Sequence, residues 1–277
     1  MPNVYEIITE KIIEQLEKGV VPWRKPWKTI LPQNLISRKE YRGINSILLN
    51  CLPFEHPYFL TFKQAKTLGG NVRRGEKGLR IVFWQFLEDE ETKEKFPLLR
   101  YYTIFNVAQC DGIAVPKLPN RNDEPIAECE RIVWGMPNPP KVEFGGNRAF
   151  YVPSRDLITI PARQRFDNAE EFYSTLLHEM AHSTGHHSRL NRKGINESDV
   201  AFGSQNYGQE ELVAEIGASF LTAKAGIIGR TIENSASYIA NWLAVLRNDK
   251  RMIVCAAGQA QKAADYILGA ETLGAEE

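Results

Sequence analysis

The 277-residue sequence predicts an α+β protein in two parts, a small mixed α/β part followed by a mostly helical part with a short antiparallel sheet. Three observations predict it. Apolar residues recur at helical spacing in long segments after residue 169, whereas residues 79–105 carry β-branched and aromatic runs of strand length. A proline-rich stretch poor in apolar residues, AVPKLPNRNDEP (Ala114–Pro125), separates the two. Charge divides at the same place: residues 1–125 hold 19 Lys/Arg and 15 Asp/Glu, and residues 126–277 hold 15 and 19. The neutral total of 34 against 34 therefore conceals two unlike halves. The expected domains are 1–125, with the linker at about 114–125, and 126–277.

Taken in order, Val4, Ile7, Ile8, Ile12, Ile13 and Leu16 define an amphipathic opening helix, with Gly19 as its stop. Pro22 and Pro26 hold the next segment, PWRKPWK, out of helix. Short helices are expected over Ile44–Leu52 and Thr61–Leu68. Paired strands follow at Leu79–Leu87 and Leu99–Phe105, with Glu88–Lys95 as a charged hairpin tip. Beyond the linker, a helix over Ile126–Met136 leads to strands at Lys141–Phe144, Ala149–Val152 and Leu157–Ile160. Helices complete the chain at Ala169–Thr184, Gln209–Ala225, Glu233–Asn248 and Ala256–Leu268.

Composition excludes several classes. At 43% apolar residues and no net charge the chain is neither disordered nor fibrous. No run approaches the roughly 18 apolar residues of a membrane span, and the charged N-terminal helix is no export signal. Cys51, Cys110, Cys129 and Cys255 lie scattered, without a CxxC pair, as in a reduced cytoplasmic protein rather than a disulfide framework or a cysteine zinc site.

The chemistry-bearing signal is HExxH at His178-Glu179-Met180-Ala181-His182. By composition alone about 0.01 such motifs are expected in this chain. On a helix the two histidines share a face and can present imidazoles to one cation, Zn2+ or alternatively Mn2+ or another divalent ion. Glu179 then stands beside them as general base toward a water on that cation. Asp167 or Asn168 can cap this helix, with Glu170 or Glu171 completing a capping box. A third ligand is needed. The HExxHxxGxxH pattern fails at Ser188, and His186 and His187 read as loop residues. Glu211 and Glu215 share a face of the later helix, and Glu215 lies in an apolar run where a carboxylate requires a partner. Zinc and the N–H of a zinc-bound histidine are both suitable partners. Glu210, about 100° away, is expected to be solvated or a cap. Tyr207, one turn before Glu211, could donate to an oxyanion. The stretch from Tyr151 to Pro161 is expected to border the cleft as an edge strand to which an extended peptide adds.

The N-terminal half carries a different signal. Between Lys18 and Arg80 there are 13 Lys/Arg and only Glu40, Glu55 and Glu76. Aromatic Trp23, Trp27, Tyr41, Tyr58, Phe59 and Phe62 interleave with the cations Arg24, Lys25, Lys28, Arg38, Lys39, Arg42, Lys63 and Lys66. The turn at Arg73, Arg74 and Lys77 adds three more. Cations that follow phosphates and π faces for splayed bases suit single-stranded DNA. No helix-turn-helix, zinc-finger or basic-zipper pattern indicates duplex readout.

Two resemblances sharpen this reading. The ExxxE spacing resembles the gluzincin ExxxD pattern, which implies Glu211 as metal ligand and Glu215 as the acid that orients a histidine. Over nearly its whole length the chain resembles the ArdC family of plasmid antirestriction proteins. The residues that carry the likeness are PWRKPW (Pro22–Trp27), YRGINSILL (Tyr41–Leu49), FKQAKTLGGNVRRGEKG (Phe62–Gly78), IVFW (Ile81–Trp84), FNVAQCDGI (Phe105–Ile113), LLHEMAHSTGHHSRLNR (Leu176–Arg192) and YGQEELVAEIGASFL (Tyr207–Leu221). The resemblance implies a single-stranded-DNA-binding N-terminal domain, a zincin-like metallopeptidase domain acting on a protein substrate, and protection of incoming conjugative plasmid DNA from restriction. Two rivals stand beside it: occlusion of DNA with a non-catalytic metal site, and a regulatory peptidase that cleaves a repressor.

Overall fold

A computed structural model describes residues 4–24, 31–88, 95–117, 125–196, 205–227 and 236–270. The elements run α1 (Val4–Glu17), β1 (Gln33–Asn34), α2 (Ile44–Asn50), β2 (Tyr58–Thr61), α3 (Phe62–Thr67), β3 (Asn71–Val72), β4 (Leu79–Glu88), β5 (Lys95–Asn106) and β6 (Cys110–Asp111). They continue with α4 (Pro125–Gly135), β7 (Lys141–Phe144), β8 (Phe150–Val152), β9 (Leu157–Ile160), α5 (Ala169–Ser183), α6 (Lys193–Asn196), α7 (Gln205–Ala225), α8 (Ala236–Asn248) and α9 (Met252–Ile267). The α+β class expected from the sequence is the one observed. No helix among the described residues is long and apolar enough to cross a membrane.

In the N-terminal part a four-stranded sheet has the order β1-β2-β5-β4. The β4–β5 hairpin keeps one antiparallel register from Leu79↔Ile104 to Glu88↔Lys95, longer than the sequence suggests. The tip expected there falls at residues 89–94, outside the described residues. Strand β2 is buried on both faces. Tyr58 and Leu60 join Leu35, Ala65 and Val107 in one small core, while Phe59 joins Leu49, Ile81 and Ile104 in another. Helix α3 starts in a reciprocal capping box: the Gln64 amide donates to Thr61 Oγ1 at 3.2 Å, and Gln64 Oε1 accepts from the Thr61 amide at 2.8 Å.

The C-terminal sheet has the order β7-β9-β8. It is mixed, not antiparallel throughout: β8 runs antiparallel to β9, but β7 pairs with β9 in parallel. The cause lies in the chain path, which places β9 between β7 and β8 instead of after them. The largest core joins α4, α5, α7, α8 and α9, and α1 contributes Ile8, Ile12, Ile13 and Leu16 to it. Helix α7 comes close to α5 because Gly217 lacks a side chain. A Cβ there would meet Ala181 Cβ at 3.3 Å and Ala260 O at 3.7 Å.

Candidate metal centre

The site is assembled from α5 and α7. Asn168 caps α5, its Oδ1 accepting from the Glu171 amide at 2.8 Å, and Glu171 Oε2 in turn accepts from the Asp167 amide at 3.2 Å. Two of the candidate residues therefore share the N-terminus of α5, Asn168 as cap and Glu171 as the returning acid. Four residues apart on this helix, His178 and His182 bring their Nε2 atoms to 3.2 Å. Glu211 on α7 completes the cluster, at 3.7 Å from His178 Nε2 and 3.4 Å from His182 Nε2. A tetrahedral cation with ligand bonds of about 2.0–2.1 Å holds its donors about 3.3–3.4 Å apart. The three donor atoms, all within 4.8 Å of one another, therefore suit one metal ion. Glu211 and His178 are partly exposed, so the cluster opens to solvent on their side.

Electrostatics point the same way. Burial opposes a charge on His182, but Glu210 and Glu211 outweigh it and hold the imidazole up to about 10. The cluster stabilises positive charge. Glu179 is buried, and its carboxyl is raised, chiefly by burial; Glu211 adds to this while His182 and the Tyr151 backbone amide work against it. That amide belongs to β8, an edge strand of the sheet, so the edge lies against the base of the cleft.

Around the cluster the structure corrects one expectation and gives a second residue a contact that the sequence does not suggest. Glu210, expected at a solvated position, is buried, with Oε1 at 3.5 Å from His182 Nδ1. Arg192 donates to both its oxygens, from Nε at 3.0 Å and from Nη2 at 2.5 Å, and also to Thr184 Oγ1 and Ala181 O. Glu215, expected to orient a histidine, accepts a hydrogen bond from Trp23 Nε1 at 2.8 Å. The rotation from Glu210 to Glu211 turns one acid toward His182 Nδ1 and the other toward the Nε2 pair. Sequence spacing measures that angle but not which face meets α5. The side chain of Tyr207 lies outside the described residues.

A second network braces the edge strand. Arg189, with a fully buried side chain, donates to both oxygens of Asp156 at 2.8 and 2.7 Å, and Tyr151 Oη donates to Asp156 Oδ1 at 2.8 Å. Asp156 takes a left-handed backbone conformation, φ 47°, in the turn before β9. The sequence carried no signal for this triad.

The residues expected to bind DNA separate into groups. Trp23 is a correction: it is buried in the main core, edge-on to Trp242 at 5.6 Å, and offers no face for stacking. Tyr58 and Phe59 are likewise buried. Arg42 pairs with Asp265 of α9. Arg73 is held in its turn by Glu76, Asp111 and the Ala108 carbonyl. Arg38, Lys39, Lys63, Lys66, Arg74 and Lys77 are exposed around the core formed by Leu35, Leu60 and Ala65. Arg38 lies 4.9 Å over the Tyr58 ring, and Lys66, bonded to Asn71, lies 5.9 Å from the exposed ring of Phe62. Arg80 over the exposed Tyr101 ring, at 5.1 Å, is a cation–aromatic pair that sequence reasoning missed. The side chain of Arg24, and Lys25, Trp27 and Lys28, fall outside the described residues.

Fold and site together define a zincin-like protein: residues 137–259 match the family described as zincin-like metallopeptidase. Residues 2–105 match the N-terminal domain of anti-restriction factor ArdC. The crystal structure of the antirestriction ArdC protein from the R388 plasmid superposes in its metal-free form with TM-score 0.77 and 37% identity, covering 96% of this chain and 97% of that one. Its Mn(II)-bound form gives 0.79 and 35%, covering 99% and 100%. The uncharacterized protein y4eC of Sinorhizobium fredii is 33% identical, over 96% of this chain and 91% of its own. Two Escherichia coli proteins named DNA primase TraC are each 35% identical, over 99% and 96% of this chain, but the chain spans only 20% and 27% of their lengths. The chain belongs to the ArdC antirestriction family.

Proposed function

We propose that this protein is a single-stranded-DNA-binding, metal-dependent peptidase that protects incoming conjugative plasmid DNA from restriction. Residues 1–125 would supply most of the DNA-binding surface and residues 126–277 the peptidase. The observation that carries the reading is the convergence of His178, His182 and Glu211 within 4.8 Å, with Glu179 buried beside them and left out of the ligand set. A purely structural metal site has no use for such an acid. The metal is proposed as Zn2+, which suits two imidazoles and a carboxylate, with Mn2+ the second candidate given the Mn(II)-bound R388 structure.

When bound, the ion supplies a Lewis acid that polarises a peptide carbonyl and acidifies water. The chain's own residues do the rest. Glu179 accepts a proton and passes it to the departing amine. Glu210, held by Arg192, faces His182 Nδ1 and so directs Nε2 toward the ligand cluster. The open side of β8 offers backbone groups to which an extended substrate adds as a strand. The exposed cations Arg38, Lys63, Arg74 and Lys77 track phosphates, and a strand held there raises the local concentration of proteins carried on it.

The test is cleavage of a protein coated on or cross-linked to single-stranded DNA, compared with the same protein free. The reading expects metal-dependent cleavage that is faster on DNA and abolished by Glu179→Gln. No cleavage by the metal-loaded protein in either setting would remove the peptidase.

A further inference from the structure

A cleft of about 480 Å³ opens where residues 31–46 meet α4, α7 and α9, away from the metal cluster. Its volume falls within the range of small-molecule sites. Tyr41, Ile132, Phe220 and Leu268 give it apolar walls. Ser46 on α2 lines it too: the residue is almost fully buried, and its Oγ finds no hydrogen-bond partner among the described residues. A buried hydroxyl without a partner is destabilising, and a ligand able to hydrogen-bond it would remove that cost.

The charges at the cleft are arranged with a polarity. Arg42 pairs with Asp265, Arg131 with Glu128, and Lys224 with Glu40 at 3.8 Å. Each guanidinium is far more exposed than its acid: 50% against 8% for Arg42 and Asp265, and 76% against 15% for Arg131 and Glu128. Asp265 and Glu128 sit beneath and hold their arginines outward, whereas Lys224 and Glu40 are about equally exposed, so the two guanidiniums give the mouth its positive charge while the interior presents acceptors. An anionic group fits the mouth, and a flat ring with N–H donors fits the interior.

We propose that this cleft is a nucleotide subsite, taking one base between its apolar walls with the phosphate at Arg42, Arg131 and Lys224. Ser46 Oγ and the Asp265 carboxylate face the edge of the base. The base can come from a bound strand or from a free nucleotide. The inference deepens the DNA-binding reading and rests on it only for the strand as source. Arg38 and Lys39, exposed on the segment leading to Arg42, lie on the path by which a strand would arrive.

Gly135 gives a clean test, because it lines the cleft and a Cβ built there meets nothing within 4 Å. Gly135→Trp adds an indole at the wall of the cleft, Gly135→Ser is the matched control, and Arg131→Glu reverses the mouth on an exposed side chain. Binding is measured to a short oligothymidylate, to the same backbone with abasic sites throughout, and to thymidine monophosphate. For a base drawn from the strand, Gly135→Trp weakens the oligothymidylate about tenfold, the worth of one stacked base. It leaves the abasic strand unchanged, and Gly135→Ser behaves as wild type. For a free nucleotide, wild type binds the monophosphate and both Gly135→Trp and Arg131→Glu lose it. Equal oligothymidylate binding by wild type and Gly135→Trp, together with no monophosphate binding by wild type, overturns the subsite. If wild type binds neither strand, the DNA-binding reading fails instead, and the monophosphate alone decides the subsite.

Discussion

The indole of Trp23 donates to Glu215 at 2.8 Å, joining two side chains 192 residues apart. Glu215 stands one helical turn beyond Glu211 on α7, and Trp23 also packs edge-on against Trp242 of α8. A tryptophan from the basic, aromatic segment is thus part of the wall behind the metal cluster. Its π face is buried in core, and its polar edge meets a helix that carries a candidate ligand.

Trp23→Phe therefore acts on stability and not on DNA. It removes a hydrogen bond to a charged group, a loss of about 1.5–3 kcal/mol, and Trp23→Ala costs about 3–5 kcal/mol. Denaturant unfolding measures both. Reduced single-strand affinity in Trp23→Phe, with unfolding unchanged, would show that the residue stacks on bases after all.

Glu210 holds His182 from behind, so Glu210→Gln lowers metal affinity about 10- to 100-fold in a chelator competition, whereas Glu215→Gln leaves it near wild type. Arg192→Met is the harsher change. It strips the cation from a buried carboxylate and costs about 3–5 kcal/mol of stability. If the losses of metal affinity fall on Glu215→Gln instead, Glu215 is the orienting acid.

Much of this site was legible and some was not, for physical reasons. The α5 helix, its Asn168 cap and the His178–Glu179–His182 face are local features, set by spacing over a few residues. Helical periodicity put Glu211 and Glu215 on one face, and the choice of Glu211 as ligand came from the gluzincin resemblance. The partners of Glu210 and Glu215 depend on which way α7 is turned against α5, and periodicity carries no information on that. Trp23 misled because composition shows an aromatic beside cations, while its burial is decided by helices near the other end of the chain. The parallel β7–β9 pair was hidden similarly, since strand patterns do not encode pairing order.

Acid should loosen the edge strand through Asp156. Burial alone would raise its carboxyl, but the hydrogen bonds and charge of Arg189, with the Tyr151 hydroxyl, bring it below the usual range. A depressed carboxyl contributes stability that is fully present above its unfolded pKa and is lost as pH falls through the folded one. Asp156→Asn should therefore lower the melting temperature near neutral pH and flatten its fall in acid. A wild-type acid dependence in the variant would remove Asp156 from that role.

Close approach of α5 and α7 at Gly217 has its own consequence. Gly217→Val adds methyl groups where a Cβ already meets Ala181 Cβ at 3.3 Å, and overpacking costs about 1–3 kcal/mol. Because Glu211 rides on α7, metal affinity measured by calorimetry should fall with it. Unaltered stability and affinity would mean that the two helices separate freely at this point.

The central claim is that protection requires Glu179 as a base and not simply a protein bound to DNA. The direct measurement uses a metal-replete Glu179→Ala protein, scored for protection of incoming plasmid DNA in a restricting host and, separately, for single-strand affinity. Loss of protection with unchanged, salt-sensitive DNA binding is the predicted result. Undiminished protection would contradict the account and leave occlusion of the DNA as the function.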